Sequence, residues 1–536
     1  MKLLMISIIY LSFPFNILLM EITNTISNLT ILNLTDASKK YQEINSGTSS
    51  YIFFTGILVM LMTPALGFFY SGFASNKRIV MIVGQCFAIY SIISIIWYLI
   101  GFSLVFGNSQ IGLIGDLSLV FLNNLNNTVT IYAPEVSAYN YFFFQSKFAT
   151  ITPALIIGST AGRLNFFSIL IFCCLWAILV YCPIAHWVWN CNGFLKEVGM
   201  VDFAGGVAVH VSSGFAGLSS SITCDRISSY NNLEQIKESS VKTSNLILTI
   251  GTLLLWFGWF GFNGGSGTNL TQQVLAIINT HISACTGALI YFILGLIVEK
   301  KPTNKNICIG VICGLIGITP GAGLVPVYAS FIIGLVSAIS SYLMCHYRMK
   351  YSWYDDRLDV FGCHGVSGAI GTIFTGLFVK EEYAIVNGLV YDNPKMLGFQ
   401  IAGVLCCAGW SFVISAFILT GMYLTKILKF NQLSDFKEVG FDTTNCMSED
   451  VVILNERPNK KFQIYEKKEK TSLDNIVSSH LIINIDEVNN VKNTQNDDEI
   501  NQNLGEVNKE ANTYHKIQNK LSKKVMFNEY NQDNDE

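Results

Sequence analysis

The chain has 536 residues, of which 51% are hydrophobic and 13% are charged, and a formal net charge of −3. A mean hydropathy of +0.43 is too high for a soluble domain, so the composition excludes an ordinary soluble globular protein. No basic stripe alternates with aromatic residues, and a nucleic-acid partner is therefore not expected. The sequence predicts an integral membrane protein.

The first 49 residues predict targeting to an extracytoplasmic location. Residues 1–20 have a lysine followed by an apolar run, which is typical of a signal peptide, although an uncleaved anchor helix fits the same pattern. Residues 21–49 are expected to be extracytoplasmic, and Asn28 and Asn33 each begin a glycosylation sequon. These sequons predict a glycoprotein.

From about residue 50 to residue 428, long apolar runs alternate with short polar connections. About eleven of these runs are long enough to cross the hydrocarbon core of a bilayer as helices. Their approximate bounds are 51–71, 80–106, 141–161, 166–189, 203–223, 246–263, 275–298, 307–321, 324–345, 360–379 and 398–425. The predicted fold class is an all-α polytopic membrane protein of about 11 transmembrane helices.

Lysine and arginine residues fall in alternate connections, and short loops rich in these residues stay cytoplasmic. The connections on one side contain Lys77, Arg78, Arg163, Arg226, Lys237, Lys242, Lys300, Lys301, Lys305, Arg348, Lys350 and Arg357. The opposite side has only Lys196, Lys380 and Lys395. This asymmetry predicts that the N-terminus is outside and the C-terminus inside.

Residues 429–536 lose the apolar periodicity and are rich in Asn, Asp, Glu and Lys. Such a composition cannot bury enough apolar surface to fold, so we expect a cytoplasmic, disordered tail. Two interpretations of this tail stay open: it regulates the protein or binds a partner, or it is a simple solvated extension.

Ionisable residues are costly inside a membrane, and two predicted spans combine an aspartate at one end with a histidine within the span. Asp202 lies at the outer start of one span and His210 follows eight residues later; Asp359 lies near the inner end of another and His364 follows five residues later. One histidine enters from each side, which resembles the two inverted halves of many transporters around a midplane site. Spans 1–5 and 6–10 would form the two inverted five-helix halves, with one extra helix.

Aromatic residues gather at the predicted outer end of three spans. They are Phe144 and Phe148, Trp187 and Trp189, and the segment WFGWFGFNGGSGTN at residues 256–269. An interfacial belt is the alternative interpretation. Aromatic faces attract a desolvated cation, and the Ser266 hydroxyl can accept a hydrogen bond from it. No predicted span has a carboxylate at mid-depth, so a small protonated cation is expected to lose its proton before crossing.

Five segments of the sequence resemble one known family. They are DFAGGVAVH, WFGWFGFNGGS, DVFGCHGVSGAIG, IAHWVW and FFFQSKFATIT. They are similar to the signature segments of the Amt/Mep/Rh ammonium transporters, over about residues 50–428. The resemblance implies an ammonium transporter domain that forms a homotrimer with one pore per subunit. The tryptophan-lined mouth is closer to the Amt/Mep branch.

The resemblance also implies roles for particular residues. Phe148, Trp189 and Ser266 would bind ammonium outside, supported by Asp202. Phe148 and Phe262 would form the gate, flanked by Phe144. His210 and His364 would be the twin pore histidines. No catalytic residue, cofactor or metal is implied; ammonium or ammonia, with methylammonium as a further substrate, would cross a multi-pass protein of the plasma membrane.

Four features depart from the family pattern, and one of them is the Asn-rich tail, which matches no segment of the family. Gly162 stands where many relatives have Glu, and the start of the tail, GFDTTNCMSED, lacks an expected H-G-E segment. Lys147 stands beside Phe148 where a small or neutral residue is usual; it would either repel the substrate or extend outward.

Two alternatives accompany the prediction of a transporter, in which a proton could cross with ammonia. A sensor on the same fold would signal through the long tail. A membrane metalloenzyme would use His210, His364, Asp202 and Asp359, but the two aspartates are expected near opposite membrane faces, too far apart to bind one ion.

Overall fold

The structure is a computed structural model that describes residues 44–74, 79–126, 128–230, 244–351 and 354–430. The predicted signal peptide or anchor at residues 1–20, the sequons at Asn28 and Asn33, and the tail from residue 431 onward lie outside the described residues.

The described residues are mostly helical. The α-helices are α1 Ser46–Met60, α2 Met62–Ser71, α3 Ile79–Ile96, α4 Phe102–Phe106, α5 Ala138–Leu155, α6 Ile157–Thr160, α7 Phe166–Trp176, α8 Cys182–Trp189, α9 Phe194–Glu197, α10 Ser212–Tyr230, α11 Asn245–Gly264, α12 Leu270–Val298, α13 Asn304–Ile318, α14 Val327–Tyr351, α15 Ser367–Phe378 and α16 Pro394–Leu424.

Shorter elements interrupt or connect these helices. Four π-helical turns are Trp97–Gly101, Ala177–Tyr181, Gly206–Val211 and Phe361–Val366. Three 3₁₀ turns are Val120–Leu122, Thr319–Gly321 and Leu389–Tyr391. Two short antiparallel strands, β1 Val129–Thr130 and β2 Ala133–Ser137, pair just before α5.

Polar side chains begin several of the helices by accepting an otherwise unpaired backbone N–H of the first turn. The capping residues are Asn45, Ser137, Asn165, Asn269 and Thr303. Ser137, for example, accepts the N–H of Asn140 at 3.2 Å and so fixes the start of α5, which contains Phe144 and Phe148.

Within the described residues, eight helical segments are long and apolar enough to cross a membrane. These are Ser46–Ser71, Ile79–Phe106, Phe166–Glu197, Asn245–Gly264, Leu270–Val298, Val327–Arg348, Phe361–Phe378 and Pro394–Leu424. The other three predicted runs are also helical, at α5, α10 and α13, but α5 and α10 are rich in polar residues and α13 has only 15 residues. A multi-pass helical membrane protein is therefore confirmed, while the count of eleven spans and the orientation remain predictions.

The distribution of polar and apolar side chains supports a bilayer environment. Large apolar residues face outward, including Phe417 at 73% exposed, Leu405 at 68% and Phe87 at 62%. Serines fill the interior instead, and α10 alone buries Ser212, Ser213, Ser219, Ser220 and Ser221 completely. A large outward-facing apolar surface is disfavoured in water, whereas lipid tails would solvate it.

Glycines allow the helices of the two histidines to touch through their backbones. A Cβ atom on Gly214 of α10 would overlap the backbone of Gly365, which follows His364 directly. Gly368 likewise leaves no room for a side chain beside His210. Small residues at such crossings let membrane helices approach closely, and here the approach brings two imidazoles from distant parts of the chain together.

We therefore expect Gly214→Ala to destabilise the fold by about 1–3 kcal/mol, because the added methyl group must push Gly365 away. Gly409→Ala on α16 is the matched control, since a Cβ there meets nothing within 4 Å. Thermal unfolding in detergent measures the difference. Equal unfolding temperatures for the two variants would contradict the proposed backbone crossing.

Candidate functional site

The end of the helix bundle at which Ser137, Trp189 and Ser266 lie is called the outer end here, after the predicted orientation. Trp189 is the last residue of α8 and is half-buried; its indole N–H donates to the main-chain oxygen of Asp202 at 2.9 Å. Ser266 follows α11, and its hydroxyl donates to the main-chain oxygen of Phe262 at 2.9 Å. Because the serine proton is used in this way, the Ser266 oxygen keeps lone pairs that can accept a hydrogen bond from a cation.

The Asp202 carboxylate is buried and bonded to the backbone. Its two oxygens accept N–H groups from Gly205 at 3.0 Å, Gly206 at 2.5 Å, Val207 at 2.9 Å and Ala208 at 3.1 Å. The backbone can curl around the carboxylate because Gly205 has a φ of 106°, which favours glycine. Asp202 thus caps the π-helical turn that contains His210. Its contact with Trp189, at the predicted mouth, is made by its main-chain oxygen and not by its carboxylate.

Three buried phenylalanines pack together next to Trp189. The ring centroids of Phe148 and Phe262 are 4.2 Å apart and the planes are tilted by 31°. Phe144 packs on Phe148 at 5.1 Å, and Trp189 meets Phe148 edge-on at 5.8 Å. All three phenylalanines are 1% exposed. The structure thus brings the phenylalanines that the sequence predicts as a gate into contact, and they are called the gate below; their role as a gate stays a prediction.

His210 and His364 lie beyond this gate and contact each other. Their Nδ1 atoms are 3.3 Å apart, within hydrogen-bond distance, and the two rings are 1% and 3% exposed. His210 also stacks on Trp259 at 5.4 Å, and Trp259 is held by a 2.9 Å hydrogen bond from its indole N–H to Thr319. The sequence analysis assigned the segment that contains Trp259 to an aromatic mouth. It did not predict that Trp259 stacks on His210.

The two imidazoles border an apolar cavity. Its lining consists of ten apolar or aromatic residues and the two histidines: Met62, Leu66, Phe69, Ile151, Leu155, Val209, His210, Leu255, Trp259, Phe262, Ile312 and His364. Within the described part of the chain, His210 Nε2 is buried without a hydrogen-bond partner. The cavity therefore offers polar ring atoms in an apolar environment, which suits a small neutral molecule better than an ion.

The contact between the Nδ1 atoms constrains the protons on the two rings. One Nδ1 must donate and the other must accept, so two neutral imidazoles would have opposite tautomers. The donor ring then keeps an unprotonated Nε2, whereas the acceptor ring has its proton on Nε2. Together the pair has one further donor and one further acceptor.

Asp356 is a functional candidate that the sequence interpretation missed. Its Oδ2 accepts the N–H of Phe361 at 2.8 Å, at the start of the π-helical turn that contains His364. Asp359, which the sequence analysis paired with His364, instead forms an ion pair with Arg348. That pairing is therefore corrected to Asp356. The signal was in the sequence, because Asp202 and Asp356 each precede their histidine by eight residues.

Burial, together with the nearby charge of Asp359, raises the pKa of the Asp356 carboxyl to about 6. Asp356 should therefore hold its proton below about pH 6 and lose it as the pH rises through that value. Infrared difference spectroscopy should show a carboxylic-acid carbonyl band that disappears with this midpoint.

Two variants assign the band. Asp356→Asn should abolish it, and Asp359→Asn should move the midpoint to lower pH because a neighbouring negative charge is removed. A band that persists unchanged in Asp356→Asn would contradict the assignment.

The metalloenzyme alternative gains no support from this geometry. The Asp202 carboxylate is bonded to four N–H groups and Asp359 is paired with Arg348. Among the described residues, no group of three or more His, Cys, Asp or Glu side chains could hold a metal ion.

The fold and the site define a helical multi-pass membrane protein with an apolar cavity that two buried histidines border. Residues 50–448 match the Ammonium Transporter Family, and the chain belongs to this family. The ammonium transporter of Aquifex aeolicus is 36% identical over 383 residues, which is 70% of this chain and 87% of that protein.

Two yeast proteins are also similar to the chain. Ammonium transporter MEP2 of Saccharomyces cerevisiae is 31% identical over 426 residues, which is 76% of this chain and 83% of that protein. The crystal structure of Candida albicans Mep2 superposes with a TM-score of 0.67 at 32% identity and covers 74% of this chain and 89% of that chain. The predicted family, including its Amt/Mep branch, is confirmed.

Proposed function

We propose that the chain, as an ammonium transporter, recognises ammonium at the outer end and conducts it as ammonia. One observation carries this mechanism: a closed aromatic gate leads to an apolar cavity whose polar lining atoms include an unpartnered imidazole nitrogen. An intact cation would be costly in such surroundings, whereas ammonia is neutral and both donates and accepts hydrogen bonds.

Recognition would take place between Trp189, Phe148 and Ser266. The two aromatic rings meet edge-on at 5.8 Å, so both present π-electron density near the mouth. The Ser266 oxygen would accept one N–H of ammonium. Asp202 would act as a positioning residue here, because its main-chain oxygen holds the Trp189 indole.

The gate gives the reason why ammonium would lose a proton before it crosses. Ammonium that leaves the mouth must pass between Phe148 and Phe262, whose rings exclude a hydration shell when they are 4.2 Å apart. The ion would therefore leave one proton at the mouth, and ammonia would pass as the rings rotate. The proton either returns to the outer solvent or crosses separately, and the charge carried per nitrogen distinguishes these two routes.

The histidine pair would then receive ammonia. Its one free donor and one free acceptor match the lone pair and the N–H groups of the molecule. Ammonia would regain a proton from water at the inner end.

We also propose the finer architecture that the sequence predicts: eleven spans, an outer N-terminus and an inner C-terminus. Two inverted halves are supported by the matching π-helical turns, Gly206–Val211 and Phe361–Val366, each capped by an aspartate eight residues before its histidine. The transporter domain at residues 50–428, the homotrimer, the glycosylation and the plasma membrane location follow from the sequence patterns and the family resemblance.

Transport is tested by measuring ammonium-dependent current and ammonia flux in proteoliposomes. We expect saturable flux from the unmodified protein, an altered current in His210→Ala, and a leakier gate in Phe148→Ala because its ring partner is lost. Phe87→Ala is the matched control, since Phe87 is 62% exposed on the outward face of α3 and its loss should leave transport unchanged.

Absence of both current and ammonia flux in correctly inserted protein would contradict the transport mechanism. A sensor built on the same fold would then be the better explanation. That alternative depends on the tail beyond residue 430, outside the described residues.

A further inference from the structure

Lys147 is a buried lysine beside the gate. It precedes Phe148 on α5, and the rise of an α-helix places it about 14 Å from the start of that helix. Only 6% of the residue is exposed. The side chain therefore does not extend outward to water, which was one of the two possibilities that the sequence left open.

Neutral groups surround the Lys147 ammonium. Its Nζ donates to the hydroxyl of Tyr90 on α3 at 3.1 Å and lies 4.1 Å from the centroid of the Phe143 ring. The ion pairs found among the described residues do not include Lys147. An aromatic face stabilises a cation without neutralising it, so the protonated form of Lys147 has no counterion in these contacts.

This charge lies behind the wall of the passage. Consecutive residues of an α-helix point about 100° apart, which places Nζ roughly 10 Å from the Phe148 ring. At an effective dielectric constant of about 20, a second positive charge at that distance is disfavoured about 15-fold. An ammonium ion at the mouth would experience the same repulsion, but there the aromatic rings and the Ser266 oxygen would offset it, whereas between the gate rings no hydrogen-bond acceptor is proposed. A neutral molecule at the same position is unaffected.

We propose that Lys147 is a selectivity-determining residue whose fixed positive charge excludes intact cations from the gate. A mid-membrane lysine is costly and is retained where its charge has a function, and fixed cations act as electrostatic barriers in other pores. This inference rests on the proposed path of ammonia past Phe148. It explains how a mouth that attracts cations can lead to a passage that rejects them.

The test uses potassium, which is similar in size to ammonium but has no proton to lose. The quantity measured is potassium current divided by ammonia flux in the same proteoliposomes. Lys147→Gln should raise this ratio about tenfold or more, because it removes the charge and keeps a polar partner for Tyr90. Lys147→Arg keeps the charge and should keep the ratio of the unmodified protein.

A second pair of variants changes Tyr90 and keeps the lysine. One of them cancels the charge of Lys147, and the other is its control. Tyr90→Glu places a carboxylate beside Nζ and should raise the ratio as Lys147→Gln does. Tyr90→Phe removes the hydroxyl but leaves the charge, so its ratio should not change. If Lys147→Gln fails to insert into the membrane, the Tyr90 pair decides the question.

An unchanged ratio in Lys147→Gln, or in Tyr90→Glu, would overturn the role of Lys147 while ammonia flux continued. Loss of ammonia flux in the unmodified protein is a different result, because it would overturn the proposed transport mechanism itself.

Discussion

The hydrogen bond between the imidazoles of His210 and His364 is the interaction on which the rest of this site depends. It joins Nδ1 atoms 3.3 Å apart and residues 154 positions apart in the chain. Two protonated rings could not form it, because neither would have a lone pair to accept with. The bond therefore requires at least one neutral ring, and the apolar lining of the cavity favours neutrality of both.

Several features of the fold hold the two rings at this distance. Gly214 and Gly365 let the two backbones cross in contact. Asp202 accepts four N–H groups and Asp356 accepts one at the start of a π-helical turn, and so each fixes where its turn begins. Trp259 fixes the ring of His210 from one side. Caps, glycines and a stacked ring thus position the polar atoms that border the cavity.

Much of this arrangement could be predicted from the sequence, for physical reasons. The lengths of the apolar runs reveal membrane helices, and the histidines and gate phenylalanines are recognisable from their motifs. The role of Asp356 was missed because Asp359 is nearer to His364 in the sequence, and only the folded backbone shows which carboxylate accepts an N–H. The direction of Lys147 likewise depends on the packing of α3 against α5, which no local pattern specifies.

Solid-state NMR of protein labelled with ¹⁵N-histidine tests the central claim most directly, because nitrogen chemical shifts distinguish the two neutral tautomers from imidazolium. The spectrum of His210→Gln assigns the pair by difference. At neutral pH we expect one of the two rings to have its proton on Nδ1 and the other on Nε2, with a coupling between the two Nδ1 atoms. An imidazolium signal from either ring would contradict a neutral pair and, with it, passage of nitrogen as ammonia.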